Sequence, residues 1–343
     1  MQGFDAIMGQ PQPLQVLRRF LSQAAVPHAL LFTGIEGVGK RTTALRFAMA
    51  LNCGAHGQTG SAEVLDLPAG PCGQCAVCRQ IADGVHPDIL HVAPRKGILR
   101  IDQIRQLLAT LTMKPFSARR RVVIVADAHA LNPEAGNALL KMLEEPPADT
   151  ILILTARQRS DLLPTIVSRC RHLRFAPLGA DILAGLLVQT RSMAPQRAAT
   201  IAEAAGGSYT KALALADAQW SEQRDWVVGA IGLDRPRGVG AGATTLALAY
   251  AADLSQAKAL IEPRLEILKT WIRDLCIWPY EPRHIINKDR ADVLGAARAG
   301  LDDRRLLALW ETVEKAHKDI VANGHLRLTL DVMALRMADL LTA

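Results

Sequence analysis

The chain has 343 residues and a formal charge of +7, with 50% hydrophobic and only 4% aromatic residues. This length predicts two or three domains, and the composition predicts aliphatic cores in α/β and helical domains. No apolar run approaches a membrane span and the first residues carry no signal features, so we expect a cytoplasmic protein without membrane contact. Charges of both signs are mixed along the chain, so charge alone does not indicate nucleic-acid binding.

The first half of the sequence alternates short apolar strands with amphipathic helices. Strands are predicted at residues 29–33, 88–92, 121–125, 150–154 and 172–175. Helices are predicted at residues 14–24, 40–51, 101–112 and 137–145. Continuous apolar strands separated by helices are typical of a parallel sheet covered on both faces. We therefore predict an α/β domain over residues 1–176.

The strand pattern ends at Pro177, and the rest of the chain is predicted to be helical. Short helices at residues 180–189, 196–205 and 209–218 predict a small helical domain over residues 177–220. A glycine- and proline-rich stretch at 232–242 predicts an exposed loop. Longer helices are predicted at residues 254–278, 290–299, 304–322 and 327–341, inside a C-terminal helical domain over residues 221–343. Their leucine and alanine stripes indicate helix packing and no catalysis.

A glycine-rich turn lies between the first strand and the helix that follows it. In this context backbone N–H groups bind phosphates and a lysine adds a positive charge. The candidate nucleotide-binding residues for ATP or ADP are Gly34, Gly37, Gly39, Lys40 and Thr42. The pattern is incomplete, because Arg41 stands where a Mg²⁺-binding hydroxyl is expected. Thr42 comes one residue late, which turns its side chain by about 100° on a helix.

The end of the third strand offers only one acidic residue. Asp127 follows Ala126, whereas an active ATPase of this type has an Asp-Glu pair to hold Mg²⁺ and orient water. Two groups that ATP hydrolysis needs, the hydroxyl after Lys40 and the second acidic residue beside Asp127, are therefore missing from the sequence pattern. The sequence predicts no ATP hydrolysis by this chain and leaves nucleotide binding open.

Four cysteines follow the glycine-rich turn and its helix, and they predict a structural zinc site. They are Cys53, Cys72, Cys75 and Cys78. Thiolates bind Zn²⁺ tetrahedrally, and gaps of two residues let neighbouring cysteines reach one ion from a tight turn. Gly73 suits that turn because glycine tolerates a positive φ. A disulfide framework is not expected in a long chain without a secretory signal.

Several alternatives remain open for this cluster. His56 or His86 would replace Cys53 as the fourth ligand, or the cysteines would form a reduced loop without metal. A zinc-dependent nucleic-acid module would need basic or aromatic residues among the cysteines. Because the segment from Cys72 onward has only Arg79 and no aromatic residue, the zinc is predicted to be structural.

Two further motifs complete a resemblance to a known family. The segments 137–147, Asn-Ala-Leu-Leu-Lys-Met-Leu-Glu-Glu-Pro-Pro, and 165–170, Thr-Ile-Val-Ser-Arg-Cys, follow the glycine-rich turn and the cysteines. In this order they resemble bacterial clamp-loader subunits of DNA polymerase III, which are AAA+ proteins. Segments 4–10 and 28–34 are also similar to that family. The resemblance covers about residues 4–176 closely, and the helical remainder agrees only in domain plan.

The resemblance implies both a fold and a set of partners. It implies an AAA+ P-loop domain with a zinc-binding insertion, a small helical lid domain and an all-α collar domain. The implied partners are tau/gamma and delta clamp-loader subunits, the sliding clamp, and primer–template DNA through the complex. Arg41, the lone Asp127, and Thr210 in place of a sensing arginine favour a stator subunit over the ATP-hydrolysing tau/gamma type.

Arg169 is the one catalytic candidate that the resemblance implies. The Ser-Arg-Cys arginine of this family is offered in trans to the ATP of a neighbouring subunit, where its guanidinium neutralises transition-state charge. The alternative is that Arg169 forms a surface salt bridge only.

Overall fold

The chain separates into two units, Met1–Ile182 and Leu183–Ala343. This computed structural model describes residues 3–23, 25–57, 70–95, 97–217, 219–234, 243–322 and 324–342. The division of the helical part into a lid domain (177–220) and a collar domain (221–343) stays a prediction.

A five-stranded parallel sheet forms the centre of the first unit. Its strands are β1 (Ala29–Thr33), β2 (Ile89–Val92), β3 (Arg121–Val125), β4 (Thr150–Ala156) and β5 (Arg171–Arg174). Their spatial order is β2-β3-β4-β1-β5, and every neighbouring pair is parallel. The three inner strands are buried along their whole length, as expected for a sheet covered on both faces. The predicted α/β fold class is confirmed.

The helices of the first unit cover both faces of the sheet. They are α1 (Pro11–Ser22), α2 (Lys40–Asn52), α3 (Ala76–Ala82), α4 (Ile101–Leu111), α5 (Pro133–Glu144) and α6 (Pro164–Val167). Leu17 of α1 and Phe47 of α2 pack with Phe32 on one face. Leu107 of α4 and Leu139 of α5 pack with Leu31 on the other. The sequence prediction missed α3 and α6, which are only one to two turns long.

Helices make up the second unit, and α7 (Ala180–Arg191) begins just before it. The others are α8 (Pro195–Ala204), α9 (Tyr209–Asp217), α10 (Trp220–Ala230), α11 (Ala243–Gln256), α12 (Ile261–Ile277), α13 (Ala291–Arg298), α14 (Asp303–Val321) and α15 (Leu326–Thr342). None of the helices within the described ranges has the length and apolar character that a membrane span needs. Short 3₁₀ turns occur at Gly3–Ala6, Gly54–Gly57, Ala128–Ala130, Arg159–Asp161, Lys258–Leu260, Pro282–His284 and Lys288–Arg290.

The predicted single helix over residues 254–278 is wrong. The structure has two helices there, because α11 ends at Gln256 and α12 begins at Ile261 after a 3₁₀ turn. Pro263 lies in the first turn of α12, where a missing N–H costs no helical hydrogen bond. Helix α10 was not predicted. The predicted loop at 232–242 lies outside the described residues from 235 onward.

A buried tyrosine in the second unit gives a direct stability test. The side chain of Tyr250 is buried, and its hydroxyl has no hydrogen-bond partner within the described part of the chain. Burial also raises the pKa of this phenol. Because an unsatisfied buried hydroxyl is destabilising, we expect Tyr250→Phe to raise the free energy of unfolding by about 1 kcal/mol in urea denaturation.

The control for this substitution is Tyr280→Phe. Tyr280 is exposed, and its hydroxyl donates to Asp303 Oδ2 at 3.0 Å. We expect a change within about 0.5 kcal/mol there, as for most surface substitutions. A loss of stability in Tyr250→Phe larger than in this control would contradict the prediction.

Candidate functional site

The glycine-rich turn connects β1 to α2 and has the backbone conformation that glycine favours. The φ angles of Gly34, Gly37 and Gly39 are 150°, 77° and 94°. Gly39 is the N-cap of α2, so the turn lies at a helix N-terminus, where backbone N–H groups bind anions. The three predicted glycines therefore form one loop with the geometry of a phosphate site.

Lys40 is bound to the carbonyl groups of its own loop. Its side chain is buried, and its Nζ donates to Gly34 O at 2.6 Å and to Ile35 O at 2.8 Å. Burial lowers the pKa of Lys40, while the carboxylates of Asp127 and Glu36 act in the opposite direction. The ammonium group would have to leave these carbonyls to contact a phosphate.

The residues after Lys40 do not place a hydroxyl at the loop. Arg41 and Thr42 are exposed on α2. The buried hydroxyl in this turn is that of Thr43, and it donates to Gly39 O at 2.8 Å within the helix. The predicted role of Thr42 in nucleotide binding stays a prediction.

Asp127 lies beyond the end of β3 and is exposed. It adopts a left-handed conformation with φ 50°, and its N–H donates to Thr155 Oγ1 on β4 at 3.0 Å. Asp127 and Lys40 both follow the carboxyl ends of parallel strands, and the Asp127 carboxylate acts to raise the pKa of Lys40. Because Ala126 precedes it, this turn brings one carboxylate toward the glycine loop, where an active ATPase would have an Asp-Glu pair.

Gln10 is a structural residue of this region that the sequence prediction did not single out. Its side chain is buried. Its Oε1 accepts the N–H of Ala176 at 3.1 Å, and its Nε2 donates to Ala176 O at 2.7 Å and to Val38 O at 3.3 Å. Gln10 thus ties the glycine loop to the segment after β5. The only sequence signal was its place in the 4–10 segment that resembles the family.

The four predicted cysteines lie together. Their Sγ atoms are within 4.8 Å of one another, and the Sγ atoms of Cys72 and Cys78 are 3.9 Å apart. Cys53 follows the last residue of α2, Cys75 caps α3, and Gly73 has φ 71° in the turn between Cys72 and Cys75. Four sulfur ligands around one point fit the tetrahedral preference of Zn²⁺.

Backbone N–H groups point at the cysteine sulfurs, and these contacts act against the effect of burial on the thiol pKa values. The N–H of Gln74 is the main cause that lowers the pKa of Cys72. Burial raises the pKa of Cys75, but the N–H groups of Cys78 and Gly54 and the thiols of Cys78 and Cys72 outweigh it and bring the pKa to about 6. Burial raises the pKa values of Cys53 and Cys78. The thiolate is the form that binds a metal. The case for a metal site therefore rests on the clustering of the four sulfurs and the N–H groups directed at them.

His86 and His56 were the two alternatives to Cys53 as the fourth metal ligand. His86 is buried, and its Nδ1 accepts the N–H of Asp88 at 3.2 Å. Among the described residues, the group of side chains able to share one metal contains the four cysteines and no histidine. The side chain of His56 lies outside the described set.

Arg169 joins the two motifs that carried the family resemblance. It precedes β5 and is exposed. Its Nη2 donates to Glu144 Oε1 at 2.8 Å, and its Nη1 donates to Thr165 O at 3.0 Å. Glu144 is the last residue of α5 in the 137–147 segment. Within this chain, therefore, the guanidinium is held by a surface ion pair.

A family of known proteins matches the first unit of this chain, which contains the glycine loop, the cysteines and Arg169. Residues 9–179 match the family described as DNA polymerase III, delta subunit. The DNA polymerase III subunit delta' of Pseudomonas aeruginosa is 42% identical over 145 residues, which are 42% of this chain and 41% of that protein. The chain belongs to the delta-prime family of DNA polymerase III subunits. The subunit delta' of Bacillus subtilis is 32% identical over 193 residues, 56% of this chain and 55% of that protein.

The delta-prime family is related to the tau subunits. The subunit tau of Bacillus subtilis is 32% identical over 223 residues, 63% of this chain and 37% of that protein. These matches span between about a third and just over half the length of the relatives. A gamma subunit-related protein from Thermotoga maritima shares 16% identity with a TM-score of 0.44, over 95% of this chain and 99% of that one.

Proposed function

We propose that this chain is the stator of a DNA polymerase III clamp loader in the cytoplasm. In this role it assembles with tau/gamma and delta subunits and helps to place the sliding clamp on primer–template DNA. The observation that carries the proposal is the closed glycine loop, in which Lys40 binds Gly34 and Ile35 carbonyls and Arg41 replaces the Mg²⁺-binding hydroxyl. Such a loop fits a subunit that keeps the P-loop fold without hydrolysing ATP.

The alternative is an ATP-hydrolysing subunit of the tau/gamma type, which the matches to tau proteins favour. A hydrolysing site needs a hydroxyl and acidic residues to hold Mg²⁺ beside the phosphates. Thr42 is exposed, and Asp127 is a lone carboxylate in a left-handed turn. These positions favour the stator over the hydrolysing subunit.

We expect the isolated chain to show no ATP turnover above background. The reason is that neither Arg41 nor Thr42 supplies a hydroxyl at the loop and that Asp127 stands alone. Steady-state phosphate release measures this directly. A turnover near about 1 s⁻¹, the low end for typical enzymes, that disappears in Lys40→Ala would favour the tau/gamma alternative.

Arg169 is proposed to act on the ATP of a neighbouring subunit. Its pair with Glu144 is solvent-exposed, and such pairs contribute about 0–1 kcal/mol, so exchanging this carboxylate for a phosphate costs little. A planar guanidinium presents two parallel N–H donors to phosphate oxygens. The surface ion pair is therefore compatible with a finger that is engaged only in the assembled ring.

We expect Arg169→Ala to leave assembly intact and to reduce the DNA- and clamp-stimulated ATP turnover of the reconstituted complex. The loss should be partial, on the order of twofold, because one interface of several loses its transition-state charge. Arg169→Lys should restore little, since lysine lacks the planar fork. The measurement is ATP turnover at matched assembly.

The matched control is Glu144→Gln, which removes the ion pair and keeps the arginine. We expect turnover close to that of the unchanged protein. An equal loss in Glu144→Gln would assign the effect to the ion pair, and unchanged turnover in Arg169→Ala would leave Arg169 a surface charge.

We also propose that Cys53, Cys72, Cys75 and Cys78 hold one structural Zn²⁺. The clustered sulfurs and the N–H groups directed at them support this assignment. The ion would fix the end of α2 to the start of α3, since Cys53 and Cys75 stand at those two positions.

A further inference from the structure

A cavity lies between the edge strand β2 and helix α4. It has a volume of about 460 Å³, and we name it the β2 groove. Its walls include Leu90 and His91 of β2 and Gln106 and Thr110 of α4, and the buried Leu107 also lines it. A groove of this kind has a shape that accepts an extended chain, which pairs with the edge strand through its main chain.

One edge of β2 has main-chain groups without a strand beside them. In the described part of the chain, β2 pairs with β3 alone. On that side, Asp88 O accepts the N–H of Val122 at 3.1 Å, and Val92 O accepts the N–H of Ala126 at 2.8 Å. Because the main-chain groups of successive residues point to alternate sides of a strand, those of His91 point away from β3. Among the described residues, therefore, the sheet leaves the N–H and C=O of His91 open to an added strand.

A side chain of α4 already occupies the next position along this free edge. The carbonyl of Ala93, two residues after His91, accepts Gln103 Nε2 at 2.9 Å. Gln103 Oε1 in turn accepts the N–H of Arg100 at 3.3 Å. A side-chain amide thus takes the place that the main chain of a neighbouring strand would take. This contact closes one end of the free edge and leaves His91 at its centre.

The two faces of an added strand would have different surroundings. Leu90 and Val92 pack against the core that contains Leu107 of α4. Ile89 packs against the core on the other face of the sheet, beneath α2. Because side chains alternate along a strand, His91 lies on the α2 side with Ile89. Every second residue of an added strand would therefore lie beside α4 and its apolar side chains, and the residues between them would lie on the α2 side.

Positive charges border the free edge of β2. Partial burial lowers the pKa of His91, and the nearby charge of Arg41 on α2 lowers it further. Arg95 lies three residues beyond β2 and lines the groove. Arg41 and Arg95 are exposed, and neither has an ion-pair partner in the portion of the chain that the structure describes. Charge complementarity therefore favours carboxylates on the residues of an added strand that lie on the α2 side.

We propose that the β2 groove binds an extended acidic peptide in which glutamate or aspartate alternates with aliphatic residues. The peptide adds a strand to the sheet and bonds to the N–H and C=O of His91. Its aliphatic side chains lie beside Leu107, and its carboxylates face Arg41. In this mode the main chain supplies affinity and the alternate side chains supply specificity. This binding site goes beyond the stator function and does not depend on it.

Titration with a synthetic peptide tests the site directly. The peptide is acetyl-Val-Glu-Val-Glu-Val-Glu-amide, labelled with fluorescein and titrated with the full chain while its anisotropy is measured. We expect saturable binding and, by NMR, slower hydrogen exchange of the His91 N–H. A peptide with methylated nitrogens at its central residues loses its main-chain donors, and a peptide with lysine for glutamate has the opposite charge. Each should bind about tenfold more weakly or worse.

Two substitutions in the chain test the same contacts. His91→Pro removes the N–H at the free edge and keeps the bonds to β3, since an edge strand tolerates proline where that N–H faces solvent. Arg41→Glu inverts the charge on the α2 side. Each should weaken binding of the glutamate peptide about tenfold. The control is Arg174→Glu, the same charge change at an exposed position of β5, the other edge strand, and it should change binding less than twofold.

Three results would overturn the proposal. They are no saturable binding up to about 1 mM peptide, equal binding of the methylated peptide, and equal losses in Arg41→Glu and Arg174→Glu. The short, charged strand would then only protect the sheet edge against pairing. If His91→Pro does not fold, the methylated peptide and Arg41→Glu still decide the question. Because the isolated chain is titrated, failure to assemble with tau/gamma and delta would overturn the stator function and leave these results unaffected.

Discussion

Replacing Asp88 with alanine is expected to lower the free energy of unfolding of the first unit by about 3–5 kcal/mol. The substitution would leave Arg121 buried without its carboxylate, and it would remove the acceptor of three backbone N–H groups. Removing one partner of a buried pair is far more costly than removing both. Urea denaturation of the full chain, followed by a probe in the first unit, measures the loss.

Two comparisons sharpen this experiment. Asp149→Ala removes an exposed ion pair with Arg120 and should cost about 0–1 kcal/mol. Asp88→Ala combined with Arg121→Ala should cost less than the sum of the two single substitutions, because the two side chains share one network. Equal losses for Asp88→Ala and Asp149→Ala would show that the buried pair contributes no more to the free energy of unfolding than the exposed pair does.

The same carboxylate predicts a pH dependence. Burial raises the pKa of Asp88, but the three N–H groups and Arg121 outweigh it and hold the pKa below its ordinary value. A carboxyl with a depressed folded-state pKa contributes stability above about pH 4, the pKa of the unfolded chain, and loses it as the pH falls further. Asp88→Ala should therefore flatten the acid side of the stability curve.

Cys78→Ser is expected to abolish zinc binding. Cys78 is fully buried in the first turn of α3, and it supplies one of the four clustered sulfurs. Metal binding to such a site contributes folding free energy, because the site does not exist in the unfolded chain. Elemental analysis should find about one zinc per unchanged chain and less than about a tenth of an equivalent in the variant, with a lower Tm.

Cys276→Ser is the control for this experiment. Cys276 lies on α12 in the second unit and outside the cluster. It should keep one equivalent of zinc. An unchanged protein without zinc after metal-replete preparation, or a Cys78→Ser variant that retains it, would remove the proposed metal site.

Local patterns in the sequence predicted much of the first unit. The strands at 29–33 and 121–125 have the predicted bounds, because a continuous run of four apolar residues forms most of each strand. The cysteine cluster was also predictable from a local pattern, since two residues separate Cys72 from Cys75 and Cys75 from Cys78. Helix α5 begins earlier than predicted because Asn132 caps it and Pro133 takes its first position.

Local sequence patterns could not predict the hydrogen bonds and ion pairs between residues that are far apart in the sequence. Asp88 was assigned to a strand, yet it precedes β2 and pairs with Arg121, which becomes its neighbour only when β2 and β3 align. Gln10 bonds to Ala176, which lies 166 positions further along the chain. The partners of a buried polar group depend on strand order, and a local pattern does not specify strand order.

Gly34 has a structural role that does not depend on a bound nucleotide. Its φ is 150°, and a Cβ at this position would come within 2.6 Å of Phe175 O. Any larger residue there would disrupt the contact between the first and fifth strands, whether or not a nucleotide binds. Selection for folding alone would therefore preserve this glycine, and its presence in a genome is weak evidence that the protein uses ATP.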